Sequence, residues 1–162
     1  MNIENFHNLL LQHGIDRAIY AERKDYDPEL DLVTVVDAIY KKEDVDKKGN
    51  PVTKHILIDY KTGKFHSFKM TEMRFELYLY VYAAQKQLKI VIDEMGMFFT
   101  QFPESSFVEK VSQKRVASAI EKYKKYVANI HALKFPRKRN PLCKYCDFIH
   151  CCETFKDDII ND

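Results

Sequence analysis

Apolar positions recur along this chain with two different spacings, and the switches between them delimit its elements. The stretches 30–40 (Leu-Asp-Leu-Val-Thr-Val-Val-Asp-Ala-Ile-Tyr) and 55–61 (His-Ile-Leu-Ile-Asp-Tyr-Lys) are rich in β-branched and aromatic residues and read as strands. Between residues 70 and 88 apolar residues fall at helical spacing with no Gly or Pro, which predicts a helix of about five turns. A short helix is expected over 4–13, stopped by Gly14, and a strand over 15–23. A polar turn around Asp25, Asp27 and Pro28 follows. The charged stretch 41–53, with Gly49-Asn50-Pro51, reads as a long exposed hairpin connection. Strand character returns over 90–102, where Gly96 suggests a bulge or bend. Ser105 or Ser106 is expected to cap a second long helix that Pro136 ends. The order is helix, three strands, helix, strand, helix and tail, without internal repeats.

A chain of 162 residues, 46% of them apolar, is enough for one core and not for two. No run reaches the ~18 apolar residues of a membrane span, and the N-terminus lacks a signal-peptide core. The expectation is therefore a protein of the cytoplasm, or of the interior of an infected cell, with no membrane partner. Net charge is only +2, but its distribution is uneven: between residues 110 and 144 there are eleven Lys or Arg against the single acid Glu121. Such a stretch is either a solvated helix surface or a face for a polyanion. All four cysteines, Cys143, Cys146, Cys151 and Cys152, fall within ten residues. A disulfide framework spreads its cysteines, so this cluster reads as a ligand set for zinc or an iron–sulfur cluster in a reducing compartment.

The candidate chemistry lies at the ends of the two strands. In Ile56-Leu57-Ile58-Asp59-Tyr60-Lys61, side chains alternate faces, so Asp59 and Lys61 project together beside Leu57. Asp37 follows Leu32-Val33-Thr34-Val35-Val36 near the end of the neighbouring strand, and a hairpin would let it converge on Asp59. Two carboxylates at a strand edge suit Mg2+ or Mn2+, hard ions that take oxygen ligands. A lysine beside them can position a water, help to deprotonate it, or offset charge in a phosphoryl transition state. An Asp-x-Lys alone is common and more often a surface ion pair.

The run Ile58-Asp59-Tyr60-Lys61-Thr62-Gly63-Lys64 resembles the signature of RecB-type nucleases of the PD-(D/E)XK superfamily, a set that includes AddB-like and CRISPR-adaptation exonucleases. Thr34-Val35-Val36-Asp37-Ala38-Ile39 is similar to that family's G-x-x-D-R-I strand, and Glu76-Leu77-Tyr78-Leu79-Tyr80 to its Q-L-x-x-Y helix. Cys143-Lys144-Tyr145-Cys146 and then Cys152 follow the family's C-terminal cysteine pattern. The resemblance covers residues 30–155. It departs at Thr34, Ala38 and Glu76, where the family has Gly, Arg and Gln.

What the resemblance implies is an α/β, restriction-endonuclease-like core: a central mixed β-sheet flanked by helices, with a Cys-rich tail. Residues 1–135 would be the nuclease core and 136–162 a metal- or cluster-binding tail packed on the same domain. Asp37, Asp59 and the carbonyl of Tyr60 would ligate the catalytic ion, with Lys61 assisting. The family carries a further His or Glu ligand upstream, for which His7 is a candidate and Glu22, on the preceding strand, a second. Glu76 would face the site. The cysteines would clamp the tail, with His150 or Cys151 completing the set. Lys114, Arg115, Arg137, Lys138 and Arg139 would contact the phosphates of single- or double-stranded DNA. The expected activity is metal-dependent hydrolysis of DNA phosphodiesters, as an exonuclease or endonuclease. The alternative is a catalytically inactive DNA-binding subunit acting with protein partners in a repair, replication or packaging complex.

Overall fold

In a computed structural model, which describes residues 3–15, 18–135 and 139–152, the two β-branched runs pair with each other. They lie in a five-stranded sheet of spatial order β1-β2-β3-β4-β5, comprising β1 (Ala18–Asp27), β2 (Leu32–Val45), β3 (Pro51–Lys61), β4 (Glu94–Phe99) and β5 (Phe107–Lys110). β1, β2 and β3 are antiparallel neighbours, β3 and β4 run parallel, and β5 is antiparallel to β4. A parallel step needs a crossover, and helix α2 (Met70–Leu88) supplies it. The mixed sheet is flanked by α2, by α1 (Ile3–Gln12) and by α3 (Gln113–His131), the α/β arrangement of a restriction-endonuclease-like fold. The chain divides into two compact units, residues 1–125 and 126–162; the sheet belongs to the first.

Alternation along β3 sorts its side chains to two cores. Leu57 packs with Ile39, Met95, Met97, Phe99 and the buried face of α2, while Ile56, Ile58 and Phe98 pack with Leu9 and Leu10 of α1. Helix α1 ends as Gly14 suggests. With φ of 62°, Gly14 lets its own N–H reach Leu11 O at 3.0 Å and the Ile15 N–H reach Leu10 O at 2.9 Å. This left-handed cap folds Ile15 back onto Leu9 and Leu10.

Several elements differ from the sequence expectation. The stretch 41–53 is mostly strand, and only 46–50 turn, because Asp46 Oδ1 accepts the Lys48 and Asn50 N–H groups at 2.7 and 2.9 Å. Asp25 and Asp27 belong to β1, and the turn follows them. Gly96 is not a bulge: it pairs regularly with Ile58 and Val108, and an added Cβ would sit 2.4 Å from Phe107 O. Its role is close approach of backbones. Neither Ser105 nor Ser106 caps α3, which begins only at Gln113. Ser106 Oγ accepts the Phe99 N–H at 2.9 Å at the end of β4, and β5, too short to carry a pattern, precedes α3. Among the described residues, no helix is long and apolar enough to cross a membrane.

Candidate active site

The sheet opens where β2 and β3 stop pairing. Their register runs from Val45↔Pro51 to Ala38↔Ile58. Val36 and Ile39 pack in the same core although they are three residues apart, whereas Ala38 and Tyr40 turn to the opposite core. The alternation of β2 therefore slips at Asp37. β1 is irregular at the same level. Glu22, which faces Asp37 between the pairs Ala21↔Ala38 and Arg23↔Val36, has φ of 47°. This left-handed conformation is costly for a non-glycine residue and gathers at functional sites. At the slip, the Asp37 carboxylate takes over a ladder position: its Oδ2 accepts the Tyr60 N–H at 2.7 Å.

Asp59 is the next residue out from the last β2–β3 pair, only 4% exposed. Its Oδ2 lies 2.9 Å from Lys61 Nζ, yet no aligned hydrogen bond reaches this buried oxygen. Lys61 Nζ is also 3.6 Å from Glu76 Oε2, which α2 brings over the strand end. Burial pushes the Asp59 carboxyl up to about 6; Lys61 pulls it down, and Asp37 and Glu76 repel its charged form. Burial works against the Lys61 ammonium too, but Asp59 and Glu76 outweigh it and hold its pKa above the ordinary value. The difference follows from depth. The Asp59 side chain is 6% exposed and that of Lys61 28%, so desolvation dominates the first and attraction the second.

A cavity of about 400 Å³ opens beside Asp37, lined also by Glu22, Ala38, Tyr40, Tyr60 and Thr100. The Tyr40 and Tyr60 hydroxyls are hydrogen-bonded to each other. Burial raises both pKa values, so both phenols stay neutral. Thr100 reaches the wall because its N–H donates to Lys61 O at 3.1 Å, carrying the parallel pairing past Phe99.

The resemblance noted in the sequence implies a divalent ion, and the pair of Asp37 and Asp59 suits one. A buried carboxylate oxygen without an aligned donor, next to a second carboxylate that repels it, is stabilised by a cation between them. The donor set at hand is Asp37 and Asp59. Among the described residues, no three His, Cys, Asp or Glu side chains are grouped as a metal site.

The other candidates are dispersed. His7 is exposed on α1 and does not line the cavity, whereas Glu22 does. Glu76 joins the site through Lys61. Arg115 is engaged with the Tyr78 hydroxyl at 3.4 Å. Lys114 shares a surface cleft with Lys122 and Lys125. Arg139 is exposed in the second unit, and Arg137 and Lys138 lie outside the described residues. No disulfide joins Cys143, Cys146, Cys151 and Cys152. Cys143 Sγ accepts the Asn140 N–H at 3.3 Å and Cys151 Sγ donates to Phe148 O at 3.3 Å. They form no ligand set as placed, so the expected zinc or iron–sulfur cluster has no support in this arrangement. Tyr40 and Thr100 were not apparent in the sequence. Tyr40 reads as an ordinary strand aromatic, and Thr100 reaches the site only through the parallel β3–β4 pairing.

A family model described as the PD-(D/E)XK nuclease superfamily matches residues 7–153. No curated protein matches the chain.

Proposed function

The chain belongs to the PD-(D/E)XK nuclease superfamily, and from that premise we propose that it hydrolyses DNA phosphodiester bonds with Mg2+ or Mn2+ held by Asp37 and Asp59. The observation that carries this reading is the fork itself: Asp37 docked on the Tyr60 N–H, beside a buried Asp59 paired with Lys61. When bound, such an ion supplies Lewis acidity that polarises the scissile phosphate and lowers the pKa of a water. The carbonyl of Tyr60 is the third expected ligand by resemblance to the family.

The protein's own groups divide the remaining work. Asp37 is held by its backbone hydrogen bond, so its free carboxylate edge has a defined position. Lys61 keeps its proton at neutral pH, because two carboxylates raise its pKa. It therefore acts as a fixed positive charge toward phosphate oxygens, not as a proton acceptor. Glu76 holds the ammonium from the α2 side. The motif at 58–64 favours the RecB-like branch, and the lysines of α3 offer contacts to the phosphate backbone without reading sequence.

The test is incubation of end-labelled single- and double-stranded DNA with the protein and Mg2+ or Mn2+, alongside an EDTA control and the Asp59→Asn variant. Metal-dependent cleavage that Asp59→Asn loses is the expected result. Cleavage equal in the variant would assign the activity to a contaminant. Binding without cleavage would favour an inactive DNA-binding subunit.

A further inference from the structure

Between β3 and α2 the chain alternates aromatic and basic residues: Lys64, Phe65, His66, Phe68 and Lys69. The two phenylalanines differ sharply. Phe65 packs edge-to-face on Phe99, with centroids 5.1 Å apart, and pins the loop to the core. Phe68, in the short 3-10 turn Ser67–Lys69, is 77% exposed. His66 lies 5.4 Å from its ring and Lys69 Nζ 6.0 Å from its centroid. The fold holds this ring in water on an anchored loop, flanked by positive charge.

The loop is also continuous with the candidate active site. A surface cleft of about 490 Å³ begins at Lys61, runs to Lys69 and has Met73, Phe75 and Leu79 among its walls. Its acids, Glu72 and Glu76, come from α2, which leaves the loop side as the path for phosphates. Phe75 is packed partly into the core, whereas Phe68 stands 77% exposed, so Phe68 is the aromatic face open to a base.

We propose that this loop guides unpaired nucleic acid into the site: Phe68 stacks on a base, Lys64 and Lys69 bear on the adjoining phosphates, and the strand runs along the cleft to Lys61. The proposal rests on the nuclease reading and narrows its substrate to a single-stranded segment. A base inside a duplex has both faces stacked, so a single exposed phenyl ring gains nothing from it without unpairing. An unpaired base gives up only water, and because every base has a π face, such contact is sequence-tolerant.

The chain contains no tryptophan, so Phe68→Trp introduces a single tryptophan at the exposed position, whose emission is read by exciting beyond the tyrosine absorption band. In EDTA, titration of Phe68→Trp with oligothymidylate should quench the emission, whereas a blunt duplex of equal length should not. In anisotropy assays under the same conditions, Phe68→Ala should weaken single-strand binding by roughly 5- to 100-fold and duplex binding by less than about twofold. Unquenched emission with bound oligothymidylate, or single-strand affinity unchanged in Phe68→Ala, overturns the guide. Neither readout needs cleavage. Quenching without nuclease activity would keep the guide and remove the nuclease reading; cleavage without quenching would do the reverse.

Discussion

Asp59 concentrates the electrostatic cost of the site in one residue. Its carboxyl titrates near 6 in the fold against an ordinary 3.8. Between those values the folded chain binds more protons than the unfolded chain, so this group's contribution to stability falls as pH rises through the window. The difference of about two pKa units corresponds to about 3 kcal/mol, all of it lost above pH 6. Asp59→Asn should therefore raise the urea midpoint of metal-free protein over that of the parent by more at pH 7 than at pH 4.5, while abolishing cleavage. An equal parent-to-variant difference at the two pH values would refute the assignment. The same burial makes ion binding compete with a proton: Mn2+ affinity, followed by calorimetry, should drop as pH falls below about 6. Lys61→Ala tests the other half of the pair. Removing the ammonium leaves Asp59 beside Asp37 and Glu76 alone, so Mn2+ binding should weaken more at pH 6 than at pH 8, with cleavage crippled at both. Equal loss at both pH values would mean that Lys61 does not set the Asp59 titration.

At the scale of elements, the site depends on two departures from regular sheet: the slip of β2 at Asp37 and the left-handed Glu22 opposite it. Both sit where β2 and β3 part, and the gap in the ladder is where Asp37 meets the Tyr60 N–H. The other side of β3 has the opposite requirement, a close and regular fit. Gly96 lies between Ile58 and β5, with no space for a methyl group against Phe107 O. Gly96→Ala should force β5 away from β4 and cost roughly 1–3 kcal/mol, the usual penalty of overpacking. Thermal denaturation checks it; an unchanged melting temperature would mean that the edge strand yields freely. The two strand cores, α2 and the glycine-capped α1 were legible in the sequence, because each carries its own period or cap. β5 was not, since four residues hold too little pattern to separate strand from loop.

For the molecule as a whole, near-neutral net charge conceals a basic α3, which places Lys114, Lys122 and Lys125 around one cleft. If that face tracks a phosphate backbone, neutralising the three together should lower the salt slope of single-stranded DNA binding by about two, at ~0.7 per contact. Sequence preference should stay the same. Anisotropy titrations at several salt concentrations read this directly, and an unchanged slope would move the phosphate contacts elsewhere.

The sequence by itself determined which residues bear charge at the ends of apolar strands, and the order in which strands and helices follow. These are local properties: a period of two sets Asp59 and Lys61 on one face whatever the rest of the chain does. Tertiary structure decided what those residues meet. Where two strands stop pairing, which strand lies parallel to β3, and which helix covers its end depend on contacts between residues far apart in the chain. The convergence of Asp37 on Tyr60, the span of Lys61 between Asp59 and Glu76, and the entry of Tyr40 and Thr100 into one cavity all follow from such pairing. Periodicity carries the face of a residue but not its neighbour, so the residue types of the candidate site were legible and their partners were not.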